Sequence, residues 1–586
     1  MTFEGQPLAA YEGETVAACL VGNGVTAFRR TGTGDARGPF CGMGVCFECL
    51  VDVDGRGNQR ACMTVVAEGM TVAMQDHRSP PGAAVDVPRC AEHIAEPEVL
   101  VVGGGAAGLM AAMAAARCGA AVTLADERPA LGGQFFKQLS KAHGFVSDHA
   151  MDGQFRDGRQ LIRATEAAGV TVLSGAQIWG AFPPREICVL DAERRSRVLR
   201  PRQLILATGA YERGLPLPGW TLPGFMTTGA AQTLARAYRV APGKRLLIAG
   251  NGPLNFQVAA ELAAAAVDVA ALVEAAPAPG LGLSRAILGG FPHSADLMMK
   301  GLAYRRTLKR RGVPILHGHM LVEVRGEGRV EEAVVAPLSA AGRLDRLRTR
   351  SFAVDAVCTG YGFMPANELA RALGCHHRYD ADRGHLVVAA DGDGLTSEPS
   401  IYVAGDAGGM VGARAAQEQG FLAGVAAARA LGHDPPPDVG REASRRRQRL
   451  ARHRRFQAAL WALFAAPRLH GELARDDTLL CRCEGVTHKR LQAAMDAGTA
   501  FIGSLKRRTR AGMGRCQGRY CGPVIAALIA ERTGTPLDEF SLFAPRPPVK
   551  PVPIGAIARP PTMDATGGPP PRRDDIASTP PSGESA

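Results

Sequence analysis

Eight of the fourteen cysteines fall into two tight groups whose spacing suits metal binding. The first group is spaced C-x4-C-x2-C, and a fourth cysteine follows after twelve residues, which gives Cys41, Cys46, Cys49 and Cys62. Four thiolates in this order are typical ligands of a 2Fe-2S cluster, three from one loop and the fourth from another. Zinc is the alternative, but zinc sites usually present two C-x2-C pairs and this group has one. The first group therefore favours one-electron iron–sulfur chemistry.

The second group lies near the C-terminus and combines C-x-C with C-x4-C, at Cys481, Cys483, Cys516 and Cys521. Four more thiolates predict a second 2Fe-2S cluster, although C-x-C is less diagnostic and zinc stays open as the alternative. Cysteines at this density, in a chain without a secretory leader, indicate metal or redox chemistry rather than disulfides. The remaining cysteines are scattered, and we expect small buried apolar residues at Cys19, Cys90, Cys118, Cys188, Cys358 and Cys375.

A glycine-rich turn, GGGAAG, follows a β-rich run at 98–102 and opens an alanine-rich helix, and the next strand ends at an acidic residue. In such a dinucleotide fingerprint the glycines let the backbone approach a pyrophosphate, the helix N-terminus favours its charge, and the carboxylate binds the ribose hydroxyls. A further turn, LGGQ, follows. The predicted cofactor-binding residues are Gly103, Gly105, Ala106, Ala107, Gly108, Asp126, Glu127 (sharing the ribose role), Gly133 and Gln134.

Two later segments, ILATGA at 205–210 and IYVAGD at 401–406, are apolar strands that run into small-residue turns. At both points the chain resembles two-dinucleotide flavoproteins. The resemblance implies that Thr208 and Gly209 lie at the cofactor and that Asp406, after Gly405, binds the ribityl-phosphate part of FAD. It also implies a helix beginning near 412–415 with its N-terminus at the flavin. These segments favour FAD over NAD at the first fingerprint.

A second, degraded fingerprint begins with the strand RLLIA at 245–249 and continues as GNGPLNFQ. It contains Gly250 and Gly252, but Asn255 replaces the third glycine, and the following strand ends at Glu274. Asn255 should keep the helix further from its strand, which counts against productive use of NAD(P)H, and Glu274 would favour NAD over NADP. We expect NAD or another adenine nucleotide here, as a working or a structural site. Because no closely spaced cysteine pair lies beside the flavin segments, a disulfide reductase is not expected.

At 586 residues the chain is too long for one hydrophobic core, and its 71 glycines suit closely packed α/β units. The predicted fold is an α/β two-dinucleotide-binding flavoprotein core between an N-terminal β-grasp ferredoxin-like domain and a small helical C-terminal 2Fe-2S domain. In the N-terminal domain, residues 8–30 predict a strand and then a helix capped near Glu14 and Thr15. The predicted ranges are 1–80 (ferredoxin-like), 95–240 with 341–432 (FAD), 241–340 (adenine nucleotide), 433–478 (basic helical linker), 479–540 (C-terminal cluster) and 541–586 (Pro-rich tail with little fixed structure).

The net charge of +12 is concentrated in the runs at 441–455 and 506–510, without interleaved aromatic residues, so nucleic-acid binding is not expected. These runs predict a solvated helix face, or a docking surface for an acidic electron-transfer partner or an anionic cofactor. The most apolar run, 99–116, contains the glycines of the first fingerprint and is not interpreted as a transmembrane segment. With no leader at its start, the chain is expected to be cytoplasmic.

The order of these parts resembles the cyanide synthase, opine oxidase and hydroxyproline dehydrogenase family, as a fusion of its small and alpha subunits, and also resembles the sarcosine oxidase alpha subunit. The resemblance covers residue 8 to about 543 and is carried by CGMGVCFEC, GGGAAG, DERPALGGQ, GNGPLN and CRCEG with CQGRYCG. The last two pieces resemble the domain of bacterioferritin-associated ferredoxin. The resemblance implies that the partner is a separate FAD-containing, amine-oxidising subunit, with this chain collecting the electrons. It also leaves open FMN at a subunit interface.

Two enzyme functions and one other role compete at this point. The first is the electron-transferring subunit of a heteromeric dehydrogenase or oxidase that acts on the C–N bond of an amino or imino acid (opine, hydroxyproline, glycine or sarcosine type). The alternative is an NAD(P)H-dependent FAD and 2Fe-2S reductase. The third is a non-enzymatic cluster sensor or scaffold. The sequence identifies neither a general base nor a group that binds a substrate carboxylate, so the catalytic residues stay unknown.

Overall fold

The computed structural model describes residues 1–76, 94–140, 142–143, 152–279, 294–469 and 471–557. Within these residues no helix is long and apolar enough to cross a membrane. Cys90 lies outside the described residues, as do 558–586 of the predicted tail.

The N-terminal unit is a five-stranded sheet covered by one helix, Val16–Gly22. The helix begins where Thr15 Oγ1 accepts a hydrogen bond from the backbone N–H of Ala18 at 3.3 Å, which confirms the predicted cap. The predicted strand lies earlier than expected, before residue 8. In sheet order the strands are Gln6–Pro7, Thr2–Phe3, Thr71–Met74, Leu50–Val53 and Arg56–Arg60, and a separate pair is Arg29–Arg30 with Ala36–Arg37.

The unit around the first fingerprint is a parallel five-stranded sheet between helices. In sheet order its strands are Thr171–Ser174, Val122–Asp126, Val99–Val102, Gln203–Leu206 and Ile401–Val403. Its helices are Ala106–Arg117, Gly153–Ala167 and Ala413–Arg429. A second sheet consists of Gln177–Phe182, Glu186–Leu190, Ser196–Leu199 and Ile94–Ala95. Parallel strands place their carboxyl ends, and the turns that follow them, at one edge of the sheet.

Two of these helices approach each other through glycine. A Cβ on Gly420 would stand 2.1 Å from the backbone oxygen of Ala107, and one on Gly424 would stand 2.2 Å from that of Ala111. Only glycine fits at such a distance, so the Ala/Gly-rich sequences of both helices follow from their packing.

A second parallel sheet surrounds the degraded fingerprint and is larger than the predicted range 241–340. In sheet order it contains Phe225–Thr227, Ala356–Gly360, Arg245–Gly250, Asp268–Glu274 and Ile315–His317. Its helices are Thr228–Tyr238, Pro253–Ala264 and Ala295–Arg310. A three-stranded sheet, His319–Arg325, Glu332–Pro337 and Arg350–Ala353, packs beside it. Shorter elements are the pairs Ala210–Glu212 with Phe363–Pro365 and His377–Asp380 with His385–Val388, and the helix Glu368–Ala372.

The predicted basic linker is one long helix, Pro437–Leu463, which packs on Ala413–Arg429. Arg446 fixes the contact through an ion pair with Glu418 at 2.8 Å and stacks over the Phe421 ring at 4.4 Å. Many basic residues on the opposite face stay solvated, as the charge pattern predicted.

The C-terminal unit is mostly helical, with Leu479–Cys481 paired to Val486–Thr487 and then helices His488–Asp496, Ile502–Thr509, Gly522–Thr533 and Ile554–Ile557. The expectation of little fixed structure after residue 543 is wrong for 544–557. Val549 is buried and donates its backbone N–H to the Trp179 oxygen at 2.7 Å, and Ser196 donates to the Ala556 oxygen at 2.8 Å. A Pro-rich sequence predicts an extended chain, but it does not predict whether that chain packs against the rest of the protein.

Candidate functional site

The first cysteine group meets in a buried loop beside helix Thr228–Tyr238, which belongs to the unit around the second fingerprint. Cys41 and Cys46 contact each other through their thiols, as do Cys49 and Cys62. Burial alone would raise the pKa of the Cys41 thiol, but contact with Cys46 and with backbone N–H groups lowers it to about 6. The same thiol–thiol contact and burial raise the pKa of Cys46, so the pair shares its protons and the contact geometry, rather than the pKa of one thiol, supports ligation. Four converging buried thiols fit a 2Fe-2S cluster.

Two donors and two glycines shape this loop. The backbone N–H groups of Met43 and Glu48 donate to the Sγ atoms of Cys41 and Cys46, each at 3.5 Å. Gly42 and Gly44 have φ of 61° and 79°, and a Cβ on Gly42 would stand 2.9 Å from the Cα of Ala230. The helix Thr228–Tyr238 therefore lies directly against the cysteine loop.

The second cysteine group also converges within the C-terminal unit. The thiol of Cys481 contacts those of Cys483 and Cys521, and Cys483 contacts Cys516. Cys483 alone among the eight cysteines of the two groups is partly exposed, and the other seven are buried. A Cβ on Gly514 would stand 2.3 Å from the Cβ of Cys483, so only glycine fits at this position. The structure thus brings the four predicted ligands together, and the second cluster itself stays a prediction.

A cavity of about 1140 Å³, called the flavin cavity below, connects the two fingerprints and reaches the first cysteine loop. Most of the predicted cofactor residues line it: Gly103, Gly105, Ala106, Ala107, Asp126, Glu127, Gly133, Gln134, Thr208, Gly209, Asp406, Gly252 and Glu274. Cys41 lines it as well. Gly108, Gly405 and Gly250 do not line the cavity. They are packing glycines, because an added Cβ would stand within 2.8 Å of a neighbouring atom at each of them.

The first fingerprint has the geometry that a dinucleotide requires. Asp126 accepts from the backbone N–H of Gly104 at 2.5 Å and from that of Arg128 at 2.7 Å, which fixes its carboxylate at the glycine turn. Asp406 accepts from the N–H groups of Val411 and Gly412 at 2.8 and 2.9 Å. Helix Ala413–Arg429 begins directly afterwards, at the predicted position, and its N-terminus faces the cavity. The cradle fits the pyrophosphate and ribityl parts of FAD.

Glu127 contacts residues that the sequence did not single out. It pairs with Arg60 at 2.7 Å and with Lys550, so it joins the N-terminal unit and the C-terminal segment to the FAD-type core. Burial would raise the pKa of Glu127, but Lys550 and Arg60 lower it to about 2. Both carboxylate oxygens of Glu127 have cationic partners, which counts against ribose binding by this residue. Its predicted share in the ribose role stays a prediction.

The second fingerprint carries Glu274 in the place that Asp126 has in the first. Glu274 accepts from the backbone N–H groups of Gly252 and Ala276 at 3.0 and 2.9 Å, and burial raises its pKa to about 7. Asn255 is buried and its amide donates to the Gly360 oxygen at 2.9 Å, so the residue that replaces glycine fastens the helix to the neighbouring strand.

Sequence reasoning missed a buried polar cluster in the cavity wall. Lys137 Nζ donates to the Gln134 oxygen at 2.6 Å and to Gln232 Oε1 at 2.9 Å, and burial lowers its pKa to about 7. Glu212 accepts from the Gly229 N–H, and burial raises its pKa to about 7. Lys137 and Glu212 are far apart in the chain and match no motif, so only the fold brings them together.

The loops that carry the two cysteine groups contact each other through side chains that neighbour the cysteines. Arg482, between two cysteines of the second group, lies over the rings of Phe40 at 4.1 Å and Trp220 at 4.7 Å. Its Nε is 3.5 Å from Oε1 of Glu48, which lies between two cysteines of the first group. Phe40 precedes Cys41, and its ring centroid is 5.1 Å from that of Tyr520, which precedes Cys521.

Three family models match separate parts of the chain. The model for the pyridine nucleotide-disulphide oxidoreductase family matches residues 97–420, that for a 2Fe-2S iron-sulfur cluster binding domain matches 1–77, and that for the sarcosine oxidase A3 domain matches 477–560. The chain therefore carries an FAD-type redox domain and an N-terminal 2Fe-2S binding domain. The match over 477–560 gives the C-terminal unit a counterpart in sarcosine oxidase.

The relatives are subunits of oxidases and synthases. Hydrogen cyanide synthase subunit HcnB of Pseudomonas protegens is 32% identical, over 78% of this chain and 97% of that protein. The A subunit of opine oxidase from Rhizobium meliloti is 32% identical, over 79% and 98%. The alpha subunit of sarcosine oxidase from Rhizobium meliloti is 26% identical, over 95% of this chain and 57% of that protein.

A solved structure shares the fold across nearly the whole chain. The crystal structure of L-proline dehydrogenase from P. horikoshii superposes with a TM-score of 0.68 at 22% identity, covering 95% of this chain and 96% of that one. Because the oxidoreductase match spans more than half of the chain and HcnB is matched almost end to end, the chain belongs to the pyridine nucleotide-disulphide oxidoreductase family, in the group of HcnB and the opine oxidase A subunit.

Proposed function

We propose that this chain is the FAD and iron–sulfur electron-transferring subunit of a heteromeric dehydrogenase or oxidase that acts on the C–N bond of an amino or imino acid. One observation carries the proposal: a single cavity is lined by the FAD-type fingerprint and by Cys41, a ligand candidate for the first cluster. The names of its relatives as subunits of opine oxidase, sarcosine oxidase and cyanide synthase support both the substrate class and a heteromer. An FAD-containing, amine-oxidising subunit is the proposed partner.

Bound FAD would supply the conversion of a two-electron reduction into single-electron transfers, and each cluster takes one electron at a time. The chain's own residues hold and orient the groups. The glycine turn of the first fingerprint and the N-terminus of helix Ala413–Arg429 would stabilise the charge of the pyrophosphate. Asp126 would bind the ribose hydroxyls, and Asp406 would bind the ribityl-phosphate part of FAD. Lys137 Nζ and the Glu212 carboxyl group line the cavity, and burial brings the pKa of each to about 7, so these two groups would hold or release a proton beside a bound flavin near neutral pH.

We propose an adenine nucleotide, NAD or another, at the second fingerprint as a structural ligand. The end of helix Pro437–Leu463 supports this role. A Cβ on Gly412 would stand 2.4 Å from Nε2 of Gln457, and the Phe464 oxygen accepts from Nδ2 of Asn251 at 2.9 Å. The end of this helix therefore contacts both the FAD-type turn at Gly412 and the second fingerprint at Asn251. A nicotinamide bound at the second fingerprint would have to pass this helix end to reach the flavin, which favours a structural role for the nucleotide. FMN at the partner interface rests on the family resemblance alone.

The domain order, with Phe225–Thr227 and Ala356–Gly360 added to the second-nucleotide unit, is part of the same proposal, as are a second 2Fe-2S cluster in the C-terminal unit and a cytoplasmic location. The four converging thiols support the second cluster.

The test is an anaerobic titration of the cluster-loaded chain with NADH, followed by flavin absorbance and cluster EPR. We expect little bleaching with NADH, and full reduction when a co-expressed FAD-containing partner and its imino acid are added. Proline, hydroxyproline, sarcosine and opines serve as the substrate panel. Rapid bleaching by NADH alone would favour the reductase and overturn the proposed role in a heteromer.

A further inference from the structure

Electrons collected in the flavin cavity must leave the protein, and the two cysteine groups differ in their access to solvent. All four cysteines of the first group are buried, and Cys41 lines the cavity. In the second group Cys483 is partly exposed, and none of the four lines the cavity. The first centre therefore borders the flavin cavity, whereas the second lies away from it and includes the one cysteine of the eight that is partly accessible to solvent.

A continuous set of buried side chains connects the two centres. Cys41, Cys46, Cys516 and Tyr520 belong to one apolar core, and the stacked guanidinium of Arg482 fills the space between Phe40 and Trp220. Electron transfer between centres depends on packed intervening atoms, and this core contains such atoms throughout. This connection implies that electrons pass from the cavity to the first centre and then to the second centre.

The chain segment that ends beside Cys483 is rich in basic residues. Gly514 lies directly against Cys483, and its neighbour Met513 is 38% exposed. Arg510 is exposed and pairs with Glu484 at 2.8 Å. Arg507 and Arg508, at the end of helix Ile502–Thr509, are exposed, and neither has an ion-pair partner among the described residues. Residues 507–514 therefore combine exposed cationic side chains with a partly exposed methionine in one short segment that reaches Cys483, a composition that suits the docking of an acidic carrier.

We propose that electrons leave through the second centre, at Cys483, to an acidic one-electron carrier protein that docks on this basic surface. The inference rests on the proposed function for the source of the electrons. In each encounter the reduced second cluster loses one electron and an oxidised carrier gains one. Two encounters return a two-electron-reduced flavin to its oxidised state, and its protons pass to solvent.

The experiment supplies electrons chemically, so it does not depend on the amine-oxidising partner. Full-length, cofactor-loaded protein is reduced with stoichiometric dithionite and mixed in a stopped flow with oxidised cytochrome b5 as the acidic probe. Cytochrome c is the basic probe of opposite charge. Carrier binding is measured separately by calorimetry on the oxidised protein, a readout that requires no turnover.

The test variant is Arg507→Gln with Arg508→Gln, and the matched control is Arg454→Gln with Arg455→Gln on the exposed face of helix Pro437–Leu463. Both pairs remove the same charge. We expect the test variant to lower the rate with cytochrome b5 roughly tenfold at low ionic strength, because steering by a charged surface is worth at least that much, and salt to lower the wild-type rate similarly. The control should stay within about twofold.

Cluster content is checked by EPR in every preparation. The proposal is overturned if the control and test variants slow cytochrome b5 equally, if cytochrome c is preferred at low salt, or if calorimetry detects no charge-dependent binding. A rapid reaction only with a quinone would also overturn it, by indicating a different class of acceptor. None of these results would bear on whether an amine-oxidising subunit supplies the electrons.

Discussion

Replacing Glu127 with Gln removes the buried charge that joins three parts of the chain. Glu127 lies in the FAD-type core and pairs with Arg60 of the N-terminal unit and with Lys550 of the C-terminal segment. Its side chain is 16% exposed, so solvent screens these pairs little. The variant would leave two cations facing a neutral amide, which is the situation in which a broken buried ion pair costs most.

The magnitude follows from the pKa of the carboxyl group. Burial would raise that pKa, but Lys550 and Arg60 lower it from 4.5 to about 2. Such a depression corresponds to roughly 3 kcal/mol of stabilisation that the charged form contributes in the folded state. Because the folded pKa is the lower one, this contribution is complete above about pH 5 and is lost as the pH falls from about 4.5 towards 2.

The assay is urea unfolding followed by the release of flavin fluorescence, for wild type and Glu127→Gln between pH 3 and pH 8. We expect the variant to be less stable by roughly 3 kcal/mol from pH 5 to pH 8, with a difference that shrinks below about pH 4.5. Glu193→Gln is the matched control, since Glu193 is 64% exposed and pairs with Arg195 at the surface. It should cost less than about 1 kcal/mol at any pH. A loss for Glu127→Gln as small as the control's, or one that does not change with pH, would refute the reasoning.

Three further outcomes test the rest of the site. Gly108→Ala should abolish flavin retention, because its Cβ would stand 1.7 Å from the backbone oxygen of Gly103. The control Gly440→Ala lies in helix Pro437–Leu463, where no described atom is within 4 Å of the added Cβ, so it should keep the flavin and raise the melting temperature slightly. Flavin content per chain and thermal unfolding are the measurements. Arg482→Met should lower the midpoint potential of the C-terminal cluster in an EPR redox titration, because it removes a buried cation between two of the candidate ligands, Cys481 and Cys483. Equal shifts of both clusters would contradict this. Cys41→Ala should remove one of two EPR-distinguishable cluster signals and Cys358→Ala neither, so an unchanged spectrum for Cys41→Ala would exclude it as a ligand.

Local sequence predicted most of the chemistry because each motif folds within a few residues. A glycine turn between a strand and a helix specifies its own geometry, so the roles predicted for Gly103 and the start of the helix after Gly412 needed no distant contact. The thiol contacts of Cys41 with Cys46 were equally local. The boundaries were less predictable. The parallel sheet of the second fingerprint also contains Phe225–Thr227 and Ala356–Gly360, because parallel strands pair with neighbours that are distant in sequence.

The sequence by itself determined which groups the chain can hold, since thiolate spacing and glycine turns are properties of short segments. Only the tertiary structure decided how those groups are connected. The fold places Cys41 at the flavin cavity, seats Arg482 between two aromatic rings and against Glu48, and brings Lys550 to Glu127 across more than four hundred residues. Such contacts follow from the packing of separate units, and packing between distant segments leaves no periodic signal in the chain.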